Sequence, residues 1–94
     1  MSLAWTPRRH RLLHAIAAGQ IVLELSGRTR WADRTVTAAV GDLWVAGLVA
    51  CERTDSPVEL TRRGGWTLHR WDGDHPEHAE QARREVEAQH GGAS

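Results

Sequence analysis

The sequence lacks lysine, tyrosine and phenylalanine, and it contains a single cysteine. Because Cys51 has no second cysteine to pair with, an intramolecular disulfide and a multi-cysteine metal site are both excluded. No apolar run approaches the roughly 20 residues that a membrane-spanning helix requires. The N-terminus also lacks the basic start and apolar stretch of a secretory signal, so we expect a cytoplasmic protein.

Tryptophan is the only one of the three large aromatic residue types that the chain uses, and it occurs five times. Since large side chains must still fill the interior, we expect the tryptophans to lie in the core rather than to stack on nucleic-acid bases. They are Trp5, Trp31, Trp44, Trp66 and Trp71.

Charge is balanced over the whole chain but not along it. The formal net charge is zero, yet residues 1–72 hold ten Arg against seven Asp and Glu, and residues 73–94 hold two Arg against five. We therefore expect a basic domain over 1–72, followed by an acidic C-terminal helix and tail over 73–94. All basic side chains except histidine are arginine, which suits bidentate contacts to phosphate or guanine and is also typical of GC-rich genomes.

The first third of the chain predicts a helix followed by a β-hairpin. Thr6 and Pro7 are a helix cap and a first helical residue, and the helix extends to about Ala18 before Gly19. Two branched runs, 20–25 and 28–32, then flank Ser26-Gly27, which favours a tight hairpin with Gly27 at positive φ. The alternative is a short helix over Val22 to Gly27, as in a helix-turn-helix.

The clearest helical pattern lies over Arg34 to Ala46. Val36, Ala39, Val40, Leu43 and Trp44 form its apolar stripe, with Asp33 or Thr35 as cap and Gly47 as terminator. The opposite face carries mostly short side chains. A face of this kind can approach another molecule closely.

The second half of the chain predicts a hairpin and two helices. Leu48 to Cys51 and Val58 to Leu60 are strands around a polar turn, and Thr61 caps a helix that ends at 72–76. A last helix over Glu77 to Gln89 carries a thin apolar stripe and should dock or form a homodimer, and Gly91 to Ser94 should be a loose tail. The stripe comprises Ala79, Ala82 and Val86.

The segment Thr35 to Gly64 resembles MarR- and PadR-type winged-helix regulators. It contains a Thr-Val-Thr start at 35–37, a Gly-Leu-Val end at 47–49 and a Leu-Thr-x-x-Gly closure at 60–64. The resemblance implies an α+β winged helix that binds double-stranded DNA through its recognition helix and wing. The hairpin over 20–32 departs from the family's second helix and more closely resembles small actinobacterial or phage winged-helix proteins.

We therefore predict a DNA-binding protein, either a small transcriptional regulator or a recombination accessory factor. The start of the recognition helix would read the major groove, with the remaining arginines on the backbone. The residues expected to contact DNA are Arg28, Arg30, Arg34, Thr35, Thr37, Ala38 and Arg53, whereas Arg8, Arg9 and Arg11 are expected to form a solvated face. The alternative is a protein-interaction module that uses Asp42, Val45 and the acidic helix.

Neither an enzyme nor a metal protein is predicted. No nucleophile with a plausible base and no glycine-rich phosphate loop occurs, and no cofactor is expected. The group His69, Asp72, Asp74, His75 and His78 matches no standard metal-ligand spacing.

Overall fold

The computed structural model describes residues 3–91, with side chains for residues 3–89. Its described part is an α+β fold of four helices and six short strands, all paired antiparallel. The elements are α1 Pro7–Ala17, β1 Ile21–Leu23, β2 Thr29–Trp31, β3 Arg34–Thr35, α2 Thr37–Val45, β4 Val49–Ala50, β5 Ser56–Pro57, β6 Glu59–Leu60, α3 Arg62–Asp74 and α4 Pro76–Gly91. Within residues 3–91, every helix is too short or too polar to cross a bilayer.

Helix α1 begins as the sequence predicts. The Thr6 hydroxyl accepts the backbone N–H of Arg9, and Pro7 occupies the first helical position. Leu12, Leu13 and Ile16 lie at helical spacing and are buried. The helix therefore packs one apolar face onto the rest of the molecule.

The predicted hairpin after α1 is confirmed, and the alternative short helix is wrong. β1 pairs with β2, with Ile21 opposite Trp31 and Leu23 opposite Thr29. The connecting loop has three residues rather than two, because the Glu24 N–H donates to the Arg28 carbonyl, and Gly27 has a φ of 88°.

The helix predicted over Arg34 to Ala46 corresponds to α2, but its predicted start at Arg34 is wrong. Arg34 and Thr35 instead form β3, which pairs with β2 after a tight turn. Val36 is the N-cap of α2 and uses no side-chain cap, so neither Asp33 nor Thr35 caps this helix. The reason is local: the outer edge of β2 offers backbone hydrogen bonds, and β-branched Thr35 is well suited to a strand.

The second hairpin is confirmed and contains an additional strand. β4 pairs with β6, and between them β5 crosses over to pair with β1. This gives a four-stranded sheet of order β3-β2-β1-β5 beside the two-stranded β4-β6 pair. Pro57 is tolerated because β5 is an edge strand.

Two of the five tryptophans contradict the prediction of core positions. Trp31 and Trp71 are 5% and 6% exposed, and Trp5 is half-buried. Trp44 and Trp66 are 44% and 69% exposed. In α2 the buried residues are Val40 and Leu43. Trp44 follows Leu43 by one position, which turns its side chain about 100° around the helix and away from the core.

Helix α3 is capped by Thr61 as predicted, but it extends to Asp74, across the predicted break at residue 72.

The C-terminal helix α4 belongs to the same packed structure. Along α4, Ala79 and Ala82 are 1% and 4% exposed, and this helix packs mainly against α1. The predicted docking of the helix is therefore observed within one chain. Of the predicted loose tail, Gly91 ends α4 and 92–94 lie outside the described residues.

Candidate functional site

Three of the predicted DNA-contacting residues lie on β2 and β3. Arg34 stands across the strand pair from Trp31, and its guanidinium lies 5.9 Å from the Trp31 ring centroid. On the other face, Arg30 lies opposite Thr35, and both are exposed. The two faces of this strand pair therefore present one arginine each.

The start of α2 adjoins these strands. The backbone N–H of Thr29 donates to the Thr37 hydroxyl at 3.1 Å, and the Val36 N–H donates to the Thr29 carbonyl. Thr37 and Ala38 are exposed, and the first turn contains no acidic residue. Since Val36 offers no side-chain cap and the first turn holds no acid, neither neutralises the positive end of the helix dipole.

The remaining two predicted arginines lie near one end of the four-stranded sheet. Arg28 follows the loop that joins β1 to β2, and Arg53 lies in the turn before β5. Pairing of Leu23 with Ser56 brings that turn beside the end of β1. Arg30 is partly neutralised, because its Nε lies 3.6 Å from Glu24 Oε2.

The second half of α2 has a different character. Asp42 is exposed and lies 3.6 Å from Arg9, measured from Oδ2 to Nη2. Val45 is 90% exposed, beside the exposed Trp44. This end of the helix therefore presents a paired acid and an apolar patch, whereas its start presents short side chains and no acid.

A buried cluster of titratable groups, not predicted from the sequence, joins α1 to α3. Nε2 of His10 and Nε2 of His14 each lie 2.7 Å from Asp72 Oδ1. On the far side of the ring, the indole N–H of Trp5 donates to His10 Nδ1 at 3.1 Å. Arg83 from α4 lies 3.6 Å from the other oxygen of Asp72. The i, i+4 spacing of His10 and His14 on α1 was the available sequence signal.

These hydrogen bonds fix the protonation of His10. An indole N–H can only donate, so His10 Nδ1 carries no proton and the imidazole is neutral, with its proton on Nε2. Burial lowers the pKa of His10 below 6.5, against the opposing hydrogen bond and charge of Asp72. Burial raises the pKa of Asp72, but the hydrogen bonds from His10 and His14 outweigh it and the net pKa is lowered below 3.8.

Among the residues that the structure describes, His10, His14 and Asp72 are also the group best placed to hold a metal ion. Their ligand atoms lie within 4.8 Å of one another. A ligating imidazole nitrogen must, however, be unprotonated, which would move the His10 proton to Nδ1, directly against the Trp5 N–H. The donor set therefore fits a hydrogen-bonded cluster better than a metal centre.

The histidines and acids singled out by sequence do not converge with Asp72. His75 stacks on Trp5 with ring centroids 3.7 Å apart, and His78 contacts the same ring edge-on at 5.1 Å. His69 instead lies beside Trp66, and Asp74 is 4.0 Å from Arg70.

Comparisons of the chain with protein-family models, with curated proteins and with solved structures found no match.

Proposed function

We propose that this protein binds double-stranded DNA, with α2 as the recognition helix of a winged-helix-type domain and the β4–β6 hairpin as its wing. The observation that carries the proposal is the start of α2. It is exposed, free of acidic residues and uncapped, and arginines from β2 and β3 adjoin it. A small transcriptional regulator or a recombination accessory factor is the corresponding role.

The dimensions of α2 suit this role. Nine residues give a helix about 14 Å long, and an α-helix with its side chains is about 10–12 Å across. The major groove of B-DNA is about 12 Å wide and admits one α-helix. Thr37 and Ala38 are the exposed side chains of its first turn, and both are short enough to let the helix backbone approach the bases.

The assignment of roles differs from the sequence-based one at Arg34. We predicted that Arg34 would read guanine from the first turn of the helix, but it lies on β3 with its guanidinium over Trp31. Base contacts are therefore proposed for Thr37 and Ala38. Arg28, Arg30, Thr35 and Arg53 are proposed to contact the backbone.

A single negative charge introduced at the start of α2 tests the proposal. Ala38→Glu places a carboxylate where the groove would be, and glutamate in the first turn of a helix does not destabilise it. We expect duplex affinity to fall about tenfold or more, equivalent to roughly 1.4 kcal/mol, in fluorescence anisotropy with duplexes selected from a random pool. Ala88→Glu is the control, because it makes the same change on the exposed side of α4.

The second candidate function is a protein-interaction module, favoured by the exposed Trp44 and Val45 beside Asp42. Equal duplex binding by the two glutamate variants would contradict the role of α2 as the recognition helix, and failure of the wild-type protein to bind any duplex at low salt would contradict DNA binding itself. A native pull-down that yields one stoichiometric protein and no nucleic acid would then support the protein module.

A homodimer through the C-terminal helix stays a proposal. The apolar residues Ala79 and Ala82 are already covered within the chain, and Val86 packs against the core. The exposed residues of α4 that remain for an interface are mainly charged, among them Glu77, Glu80 and Glu87.

A further inference from the structure

Three arginines from two elements converge beside the start of α2. Arg8 and Arg11 of α1 line the same small surface pocket as Arg34 of β3, together with Trp31, Thr35 and Val36. We call Arg8, Arg11 and Arg34 the arginine cluster. Val36 is the N-cap of α2, so the cluster borders the proposed recognition helix.

The three side chains differ in how far they are neutralised. Within the described residues, Arg8 and Arg34 lie within ion-pair distance of no carboxylate. Arg11 pairs with Glu85 of α4, with Nε and Oε2 3.0 Å apart. The cluster therefore carries excess positive charge, and Glu85 offsets part of it.

Contacts made by Trp31 and by Arg9 help to position the cluster. The Arg34 guanidinium lies over the Trp31 ring, and Trp31 is itself held by its indole N–H, which donates to Gln20 Oε1 at 2.9 Å. Arg9, in the same turn of α1, reaches Asp42 of α2. This ion pair links the first turn of α1 to α2.

In a helix-turn-helix, the helix before the recognition helix crosses the phosphate backbone. In this chain, β1, β2 and β3 occupy that place in the order of elements, so no such helix is available. We infer that the arginine cluster supplies the missing contact and binds backbone phosphates of duplex DNA, while Glu85 competes with phosphate for Arg11. This inference rests on the proposed DNA binding and identifies which side chains contact the phosphate backbone of the DNA.

Chemistry favours phosphate over base edges for these residues. Arginine forms bidentate hydrogen bonds with phosphate oxygens, and a guanidinium backed by an aromatic ring is pre-oriented for them. Phosphate contacts strengthen binding without regard to sequence and make it depend on salt.

The test is the salt dependence of duplex binding by charge-removing variants. For Arg8→Gln and Arg34→Gln, we expect the slope of log affinity against log salt to become shallower by about 0.9 for each phosphate that the variant no longer neutralises. Affinity should fall equally on a preferred and a scrambled duplex. Arg70→Gln is the control, because Arg70 lines a different pocket with Ala46, beyond the far end of α2.

A gain-of-function variant tests the role of Glu85. Glu85→Gln frees Arg11 and should raise affinity and steepen the slope, by up to about 0.9 for one further neutralised phosphate. Glu87→Gln removes the same charge from an exposed position of α4 and should have a smaller effect.

Wild-type slopes in both Arg8→Gln and Arg34→Gln would overturn the inference, even if the wild-type protein binds duplex and Ala38→Glu abolishes binding. A fall in affinity confined to the preferred duplex would also overturn it, because that marks a base contact. Failure of the wild-type protein to bind any duplex at low salt would overturn the proposed function as well.

Discussion

At the scale of single residues, Trp5 and Asp72 decide the chemistry of the buried histidine cluster. Trp5 donates to His10 and so sets its tautomer, and Asp72 accepts from both histidines. The His10 side chain is 1% exposed, which makes each of these hydrogen bonds costly to lose. The cluster therefore acts as a polar connection between α1 and α3.

Replacement of Asp72 by alanine should destabilise the protein markedly. It removes the acceptor of the His10 N–H, and an unsatisfied buried donor costs about 1–3 kcal/mol. Because the hydrogen bond from His14 is removed as well, we expect the free energy of unfolding in urea to fall by about 2 kcal/mol or more. Asp74→Ala, which removes only an exposed ion pair, should cost less than about 1 kcal/mol. Equal destabilisation by the two variants would contradict the assigned role.

The same residues predict the direction of the pH dependence. Folding lowers the pKa of both His10 and Asp72, so the unfolded chain binds more protons and stability rises with pH. The contribution of His10 is complete above pH 6.5 and is lost as pH falls through its folded pKa. That of Asp72 is complete above pH 3.8 and is lost below, so the difference between wild type and Asp72→Ala should shrink there.

At the scale of elements, Gly64 determines how closely α3 approaches β4. The glycine is buried, and an added Cβ would overlap the carbonyl oxygen of Leu48. That carbonyl also accepts the Thr61 N–H, so it cannot move without losing a hydrogen bond. The glycine of the Leu-Thr-x-x-Gly pattern is therefore required in this chain by the close packing of α3 against Leu48.

A pair of glycine substitutions tests this close approach. Gly64→Ala should lower the free energy of unfolding by about 2 kcal/mol or more, because backbone must shift to admit the methyl group. Gly65→Ala adds the same atom to the same helix at an exposed position with open space, and it should raise stability by about 0.5–1 kcal/mol. Thermal unfolding of the two variants in parallel gives the comparison, and a neutral Gly64→Ala would refute the packing argument.

The boundaries of the elements show where sequence reasoning reached its limit. Val36, Val40 and Leu43 are all buried, as the helical stripe predicts, yet Val36 is a cap rather than part of the first turn. The apolar stripe predicts which side chains face the core. It does not predict that Arg34 and Thr35 pair with the edge of β2 as a strand. β5 was missed because its partner, β1, is distant in sequence and its own two residues read as a turn.

At the scale of the whole molecule, the helical and strand patterns predicted an α+β chain, and the order of elements was largely correct. The residues of the candidate DNA surface were proposed from the sequence, but their arrangement in space was not predicted. The arginine cluster brings Arg34 together with arginines that lie more than twenty positions earlier in the chain, and the exposure of Trp44 depends on how α2 packs against its neighbours. Such features arise from packing, and local sequence patterns do not encode them.

The most direct test of DNA binding is a residue-resolved map of the bound surface, from amide chemical-shift changes on titration with a selected duplex. We expect the changes to concentrate at the start of α2, on β2 and β3, and in the first turn of α1, and to weaken with added salt. The exposed face of α3 around Trp66 should be unaffected. Absence of any change at low salt, or changes confined to α3 and α4, would contradict the account.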